Sequence, residues 1–319
     1  MNNLTITESE QIFTQIMSGK MPEADIGEFL LALKAKGETA DEILGAVKVF
    51  RARCQMSDSG FQNVVDVCGT GGDGLNTLNI STAVAFVLAG AGVDVAKHGN
   101  KAVSSKSGSS DVLNELGMKI DADPVRQLKA ARLAYFHAPN YHEAMKIVAP
   151  IRAKLQSKTI FNLLGPLLNP AHAKRQLIGV YDAKYLRVFA EVLRQLGTEK
   201  AWIVNGADGL DELSISGETQ VAELANGAID IFTVTPEDAG LKRYPLDAIK
   251  GGDAKHNAQA IIRLLDGETG AYQEIVLLNS AAALLVAGVV DDLKAGVELA
   301  RRSIESGSAK KVLENLRKL

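Results

Sequence analysis

A glycine-rich stretch, DVCGTGGDGLNTLNIST at residues 66–82, is the part of the sequence best suited to bind phosphate. Gly69, Gly71 and Gly74 follow a predicted strand with the spacing G-x-G-x-x-G, which is typical of dinucleotide sites. In dinucleotide sites the helix begins directly at the glycines, whereas here the next predicted helix begins near Ser81. The stretch also lacks the Gly-Lys-Ser/Thr of a P-loop. By itself the pattern leaves a dinucleotide site, a different phosphate site and a flexible turn open.

A second polar loop follows the next predicted strand, in the run KHGNKAVSSKSGSSDVLNELG at residues 97–117. Its lysines are Lys97, Lys101 and Lys106, and its serines include Ser104, Ser105, Ser107 and Ser109. In open α/β sheets, ligands bind beyond the carboxyl ends of the strands. The end of the first loop is also suited to anions, because Asn79, Ser81 and Thr82 lie at a predicted helix N-terminus. Ser81 or Thr82 equally suits a plain helix cap. We therefore predict two anion-binding loops, which would suit a ligand with phosphates at both ends.

Asp73 is unexpected inside a phosphate-binding loop. A carboxylate about 4 Å from a phosphate oxygen costs about 4 kcal/mol at an effective dielectric constant near 20, more than a helix dipole returns. A divalent cation would reverse that sign, and Mg²⁺ is often held by one or two carboxylates together with substrate phosphates. Asp211 and Glu212, with Asp208 nearby, follow another predicted strand. This acidic pair suits a surface turn as well as a magnesium site, and the two anion-binding loops favour the magnesium site.

Five runs of the sequence, in this order and spacing, resemble the anthranilate phosphoribosyltransferase family. They are DVCGTGGDG, NIST, VAKHGNKAVSSKSGSSDVL, IFNLLGPLLNP and GLDELS. The resemblance extends over about residues 7–315. It implies the nucleoside phosphorylase-like phosphoribosyltransferase fold, Mg²⁺ as cofactor and a homodimer. The implied reaction transfers phosphoribosyl from 5-phospho-α-D-ribose 1-diphosphate to anthranilate, giving N-(5-phosphoribosyl)anthranilate and pyrophosphate in L-tryptophan biosynthesis.

The resemblance also implies which residues bind each ligand. It places phosphoribosyl diphosphate in the first loop at Gly69, Gly72, Asp73, Thr77, Asn79, Ile80, Ser81 and Thr82. In the second loop it places the same ligand at Lys97, His98, Gly99, Asn100, Lys101, Ala102, Val103, Ser104, Ser105 and Ser109. Anthranilate is assigned to Gly69, Asn100 and Arg152, and the metal to Ser81, Asp211 and Glu212. His98 would line the anthranilate pocket, and no residue is implied as a general acid or base.

This sequence departs from the common family pattern at three positions in or near the implied site. Lys101 stands where arginine is frequent, while Gln156 and Ser157 stand where glycine and an aliphatic residue are usual. The positive charge is kept at residue 101. The departures therefore concern the geometry of the loops rather than the reaction.

The sequence is compatible with two other functions. A pyrimidine nucleoside phosphorylase resembles this family in fold, but it would use phosphate in place of anthranilate and would not need the acidic pair Asp211 and Glu212. A non-catalytic relative that binds nucleic acid should show a basic excess, whereas this chain has 35 Lys+Arg against 38 Asp+Glu.

The elements that must position these residues fall into two groups. Residues 1–63 carry only helical signals, including a possible capping box at Thr7 and Glu10, and predict a helical domain with a return segment near 155–178. From Val64 onward, β-rich runs alternate with helices, so residues 64–319 are expected to form an α/β domain whose mainly parallel sheet is flanked by helices. The predicted strands lie at 64–68, 93–99, 133–138, 176–181, 201–206 and 228–234, and the pattern is helical again from residue 253.

The composition of the chain limits its expected cellular location and its expected binding partners. The slightly acidic balance offers no bulk attraction to nucleic acid or anionic membranes. Residues 1–20 resemble neither a signal nor a transit peptide, and the apolar run at 275–290, which contains Asn279 and Ser280, predicts a buried helix. Cys54 and Cys68 lack metal-ligand spacing and suit a reducing compartment. We expect a cytoplasmic protein that acts on small molecules.

Overall fold

The computed structural model describes residues 1–54, 61–101, 106–143 and 145–319, which form thirteen α-helices and one seven-stranded sheet. The helices are α1 Ile6–Met17, α2 Glu23–Lys36, α3 Ala40–Arg51, α4 Ile80–Gly90, α5 Ser109–Glu115, α6 Pro124–Ala131, α7 Ala138–Tyr141, α8 Met145–Leu155, α9 Tyr185–Gln195, α10 Ala254–Leu265, α11 Ala271–Ala287, α12 Leu293–Glu305 and α13 Ser308–Leu316. The strands are β1 Val65–Gly69, β2 Val95–Gly99, β3 Leu133–His137, β4 Arg175–Gly179, β5 Lys200–Gly206, β6 Thr219–Ala225 and β7 Ala228–Val234.

The sheet has the strand order β3-β2-β1-β4-β5-β6-β7. Strands β1 to β5 are parallel, and β6 and β7 are added antiparallel at one edge. The predicted fold class, a helical segment followed by a mainly parallel sheet flanked by helices, is confirmed. Each of the six predicted strands is present. Strand β6 was not predicted, because the polar Gln220 and Glu223 are three residues apart and imitate a helical period.

Alternating side chains of β1, β4 and β5 pack into two different cores. On one face Val65, Val67 and Val204 join α4, α11, α12 and α13 in the larger core. On the other face Ile178 and Ile203 join α9 and the N-terminal helices. Because both faces of the sheet are covered, the ligand can approach only from an edge or from the ends of the strands.

The N-terminal helices pack against a later part of the chain. Phe161, in the 3₁₀ helix Ile160–Asn162, makes edge-to-face contacts with Phe13 at 6.0 Å and with Phe50 at 5.9 Å between ring centroids. Such aromatic pairs contribute about 0.5–1.5 kcal/mol beyond the burial of their area. The segment after α8 therefore leaves the sheet, contacts α1 and α3, and returns to β4.

One sequence interpretation about a helix end is corrected by the structure, and another about a buried helix is confirmed. The capping box at the N-terminus is formed by Thr5 and Glu8, not by Thr7 and Glu10, because α1 begins at Ile6 and Thr5 is the residue before it. Glu10 instead pairs with Lys48 of α3 at 2.9 Å. The apolar run at 275–290 lies within and just after α11, as predicted. Among the helices of the described residues, none is long and apolar enough to cross a membrane.

Candidate active site

The glycine-rich loop connects β1 to α4 and is shaped by left-handed backbone conformations. Gly71, Gly72 and Gly74 have φ angles of 63°, 78° and 78°, which L-residues with a side chain adopt only at a cost. The start of the loop is fixed to β4, because the Thr70 N–H donates to the Gly179 carbonyl at 2.9 Å. Its end is fixed by the Leu78 N–H, which donates to the Ile249 carbonyl at 2.9 Å. The glycines are therefore needed for the left-handed backbone conformation of this loop. Its fixed ends exclude the alternative of a flexible turn.

Asp211 occupies a space that two glycines leave at neighbouring strand ends. Gly69 and Gly179 are paired in the register of β1 and β4. A Cβ on Gly69 would clash with the Asp211 carboxylate, and one on Gly179 would clash with the Asp211 carbonyl oxygen. The carboxylate accepts a hydrogen bond from the Gly71 N–H at 2.7 Å. The acidic turn and the glycine-rich loop, far apart in sequence, thus form one surface.

Glu212, Ser81 and Lys97 are connected beside this contact. The Glu212 carboxylate accepts a hydrogen bond from the Ser81 N–H at 3.2 Å, at the first turn of α4. The Lys97 ammonium is 3% exposed and donates to the Ser81 hydroxyl at 3.1 Å and to the Val67 carbonyl at 2.6 Å. The Ser81 hydroxyl oxygen therefore accepts a hydrogen bond from the lysine and keeps a second lone pair for another ligand. Lys97 lies beneath the loops rather than at their surface.

The electrostatics of this cluster are dominated by acids. Surrounding protein atoms raise the pKa of Asp211 well above its ordinary value, and the charges of Asp73 and Glu212 raise it further. Burial raises the pKa of Glu212 to about 7, although the positive charge of Lys97 lowers it. Burial also raises the pKa of Asp66, which lies under the site and accepts from the His98 N–H at 3.3 Å. A cation added here would stabilise the ionised carboxylates.

The N-terminus of α4 begins in a way that the sequence did not predict. Asn79, not Ser81 or Thr82, is the cap residue of α4, and its side chain makes no capping hydrogen bond to that helix. Its amide oxygen instead accepts from the Asn257 side chain of α10 at 2.8 Å, and its carbonyl accepts from the Tyr272 hydroxyl at 3.0 Å. Because the cap side chain is held elsewhere, the anion at the first turn of α4 is the Glu212 carboxylate, which accepts from the Ser81 N–H.

The second loop begins at the end of β2 and reaches α5, which starts at Ser109. The Ser109 hydroxyl is 2.9 Å from the Tyr135 hydroxyl, and it donates to the Asn100 carbonyl at 3.3 Å. A Cβ on Gly99 would clash with these two hydroxyl groups, so a side chain there would displace them. The Ser107 hydroxyl accepts from the Asn257 side chain at 2.8 Å. Asn257 therefore joins the two loops.

Two buried histidines lie at the boundary with the helical layer. The His98 Nδ1 is 3.1 Å from the Gly165 carbonyl, and the His98 ring lies edge-to-face against His142 at 5.2 Å. Burial lowers the pKa of His98 to about 3 and that of His142 to about 4. Both rings are therefore neutral near pH 7. The Nε2 of His98 and both ring nitrogens of His142 have no hydrogen-bond partner among the described residues.

Arg152 lies on the last turn of α8, half-buried, with its guanidinium 6.0 Å from the centre of the Phe161 ring. Burial lowers its pKa, but an arginine stays charged. Within the described ranges no carboxylate is paired with it. The guanidinium is thus available to an acidic ligand.

Comparison with known proteins agrees with this arrangement. The sequence profile "Glycosyl transferase family, a/b domain" matches residues 61–310, and "Glycosyl transferase family, helical bundle domain" matches residues 2–54. The anthranilate phosphoribosyltransferase of Xanthobacter autotrophicus is 50% identical over 317 residues, which are 98% of this chain and 92% of the relative. The chain belongs to the anthranilate phosphoribosyltransferase family.

Solved structures of the family have the same fold. The anthranilate phosphoribosyltransferase of Thermus thermophilus is 39% identical and superposes with a TM-score of 0.93 over 99% of this chain and 96% of that one. The Saccharomyces cerevisiae enzyme in complex with PRPP and Mg is 28% identical, with a TM-score of 0.90 over 99% of this chain and 93% of that one. Another structure of the yeast enzyme contains 4-fluoroanthranilate. These relatives favour a phosphoribosyltransferase over a nucleoside phosphorylase or a nucleic-acid-binding protein.

The structure of this anthranilate phosphoribosyltransferase family member brings part of the predicted site together. The residues joined by direct contacts are Gly69, Ser81, Lys97, Asp211 and Glu212 in one cluster, and Asn79, Gly99, Asn100 and Ser109 around the second loop. Gly72, Asp73, Thr77, Ile80 and Thr82 belong to the first loop or the start of α4, and Lys101 is exposed at the second. Ala102, Val103, Ser104 and Ser105 lie outside the described residues. No contact in the described part of the chain joins Arg152 to the loops.

Several residues of the site were not found from the sequence. Asn279 of α11 binds the acidic turn, because its side chain accepts from the Leu213 N–H and donates to the Leu213 carbonyl, each at 2.9 Å. The single asparagine in an apolar run was the available signal. Asp208, which precedes the acidic pair in the sequence, accepts from the Ser214 and Ser216 hydroxyls at 2.6 Å each and supports the same turn.

The buried histidines predict an acid-sensitive fold. Because the pKa of His142 is about 4 in the folded chain and near 6.5 when unfolded, the unfolded state binds more protons between these values. The stability that a neutral His142 provides is complete above pH 6.5 and is lost as the pH falls towards 4, by about 1.4 kcal/mol per pH unit. Urea unfolding of His142→Phe at several pH values should give a flatter pH dependence than that of the native chain. An unchanged slope would contradict the assignment.

Proposed function

We propose that this chain transfers the phosphoribosyl group of 5-phospho-α-D-ribose 1-diphosphate to anthranilate and releases pyrophosphate, in L-tryptophan biosynthesis. The observation that carries this proposal is the acidic turn placed directly against a phosphate-binding loop, in a member of the anthranilate phosphoribosyltransferase family. An acidic turn at that place disfavours a bare phosphate and favours one that arrives with a metal ion.

Mg²⁺ fits the residues that are present. The donor atoms at this place are all oxygens, from Asp211, Glu212 and the Ser81 hydroxyl, and hard cations prefer oxygen ligands. In the described residues no three His, Cys, Asp or Glu side chains converge to hold a metal alone. A site completed by substrate phosphate and water is typical of Mg²⁺. When bound, Mg²⁺ supplies positive charge that stabilises the leaving pyrophosphate.

The two loops are proposed to bind the donor at its two ends. The glycine-rich loop is proposed to offer backbone N–H groups to the diphosphate beside the first turn of α4, where the Ser81 N–H already donates to Glu212 and the Asn79 side chain is held by α10. Asn100, Lys101 and Ser109 of the second loop, with residues 102–105, bind the ribose and the phosphates. Lys97 orients the Ser81 hydroxyl and offsets the acidic charge from beneath.

The transfer itself needs positioning and charge stabilisation more than proton transfer. The bond between C1 of the ribose and the pyrophosphate oxygen breaks, pyrophosphate keeps the electron pair, and the anthranilate nitrogen forms the new bond to C1 and then loses its proton to water. The nitrogen of an aromatic amine is already a usable nucleophile. His98 and His142, neutral near pH 7, are proposed to line the acceptor pocket without charging it. Arg152 is proposed to pair with the anthranilate carboxylate.

The organisation of the whole protein is also proposed. We divide the chain into a helical domain at residues 1–63, with a return segment near 155–178, and an α/β catalytic domain at residues 64–319; the contacts of Phe161 with Phe13 and Phe50 support the return segment. A homodimer is supported by the exposed apolar side chains of Leu31 on α2 and Ile147 on α8. The presence of only two cysteines in the sequence, Cys54 and Cys68, supports a cytoplasmic location.

Anthranilate fluorescence tests the activity directly. With the diphosphate donor and Mg²⁺ present, the fluorescence of anthranilate should fall as the product forms, and chelation of the metal with EDTA should stop the fall. Persistent fluorescence with folded protein would overturn the proposed reaction. Activity that is insensitive to EDTA would leave the reaction standing and remove the metal from it.

Arg152→Ala should weaken the binding of anthranilate and spare the donor. Loss of a charge-assisted hydrogen bond to the carboxylate predicts a KM for anthranilate raised about tenfold to a hundredfold, with the donor KM within about twofold of the native value. Steady-state kinetics with each substrate varied measures both constants. Lys154→Ala, an exposed position on the same helix, is the matched control. Equal increases in both constants would remove Arg152 from the acceptor site.

A further inference from the structure

Lys158 lies against the glycine-rich loop although it comes from the segment that follows α8. Its Cε is 3.3 Å, and its Nζ 3.7 Å, from where a Cβ on Gly72 would stand. The ammonium also lies over the ring of Tyr181, 3.8 Å from its centre. The backbone N–H of Tyr181 donates to the Thr70 hydroxyl at 3.1 Å, so that ring is attached to the start of the same loop.

The backbone around Lys158 is arranged to point it there. Gln156 ends α8 with a φ angle of 45°, a left-handed conformation that favours glycine, which accounts for the glycine usual at this position in the family. After this turn the Ser157 hydroxyl accepts from Lys34 of α2 at 2.6 Å. The next residue, Lys158, then faces the opposite way, towards Gly72. The lysine is therefore held between the helical layer and the loop.

The ammonium of Lys158 has no protein anion to neutralise it. Within the ranges that the structure describes, no carboxylate pairs with it and the Tyr181 ring is its partner. A cation over an aromatic ring gains about 0.5–2 kcal/mol, less than it gains from a phosphate oxygen with which it can hydrogen-bond. The other lysine of the cluster, Lys97, is buried and already donates to Val67 and Ser81. The surface of the loop thus combines backbone N–H groups with one cation that has no ion pair in the described chain.

We propose that Lys158 binds the diphosphate of the donor, moving from the Tyr181 ring onto the phosphate oxygens above Gly72. This inference rests on the proposed function for the identity of the donor. Lys158 would supply positive charge on the side of the diphosphate opposite the metal held by Asp211 and Glu212. The leaving group would then have a positive charge on both sides. Its role is in binding the donor, and anthranilate does not depend on it.

The test compares Lys158→Met, which keeps the apolar stem and removes the charge, with Lys158→Arg, which keeps the charge. Lys154→Met is the matched control, because that ammonium is exposed and pairs with Glu23 of α2. Each variant is assayed for the KM of donor and of anthranilate, and calorimetry measures the Kd of inorganic pyrophosphate with Mg²⁺. Thermal unfolding checks that each variant is folded, and Lys158→Gln replaces Lys158→Met if the latter is not.

For Lys158→Met we expect the donor KM and the pyrophosphate Kd to rise about tenfold, while the anthranilate KM stays within about twofold. Lys158→Arg should restore both to within about threefold, and Lys154→Met should match the native chain. A donor KM and a pyrophosphate Kd within twofold of the native values would overturn the inference. Parallel increases in both KM values would do so as well. If the native chain binds pyrophosphate but does not consume anthranilate, the proposed function fails while the calorimetry still decides the role of Lys158.

Discussion

The site depends on how one buried ammonium is placed among carboxylates. Lys97 is 3% exposed, donates to the Val67 carbonyl and the Ser81 hydroxyl, and feels the charges of Asp66, Asp211 and Glu212. A buried charge without partners would cost several kcal/mol, so the acids keep the lysine in place and the lysine limits their repulsion. The balance is incomplete, since the pKa values of Asp211 and Glu212 remain raised. The remaining excess of negative charge is what a metal-bound diphosphate can relieve.

The register of β1 and β4 positions one of these carboxylates. Gly69 and Gly179 are neighbours across β1 and β4, and together they leave the space that Asp211 fills. Asn279 lies on a helix that packs against the sheet. Its side chain hydrogen-bonds to the backbone of Leu213, the residue that follows Glu212 in the acidic turn. On the other side, Asn257 ties Asn79 to Ser107 and so joins the two loops. Asn257 and Asn279, which are not among the residues proposed to bind the ligand, therefore help to assemble the site.

The sequence predicts the local features of this arrangement and misses the distant ones. The glycine spacing and the strand runs depend on residues close together in the chain, and both are predicted from the sequence. The position of Asp211 depends on Gly179, and the conformation of the cap residue Asn79 depends on Asn257 and Tyr272, which are far away in sequence. A glycine inside the strand run QLIGVY and an asparagine inside an apolar helix were the only local signs of such contacts. Asp73 predicts a cation at this loop, but its neighbours in space could not be named from spacing alone.

We propose that the acidic turn makes the glycine-rich loop specific for a diphosphate that carries a divalent cation. Calorimetric titration of the native chain with 5-phospho-α-D-ribose 1-diphosphate, once in excess Mg²⁺ and once in EDTA, measures this specificity. We expect at least about tenfold tighter binding with Mg²⁺, and a smaller ratio for Asp211→Asn, because the unshielded carboxylates repel the bare phosphates. Equal affinity under the two conditions would show that the acidic turn does not select a metal-bound diphosphate.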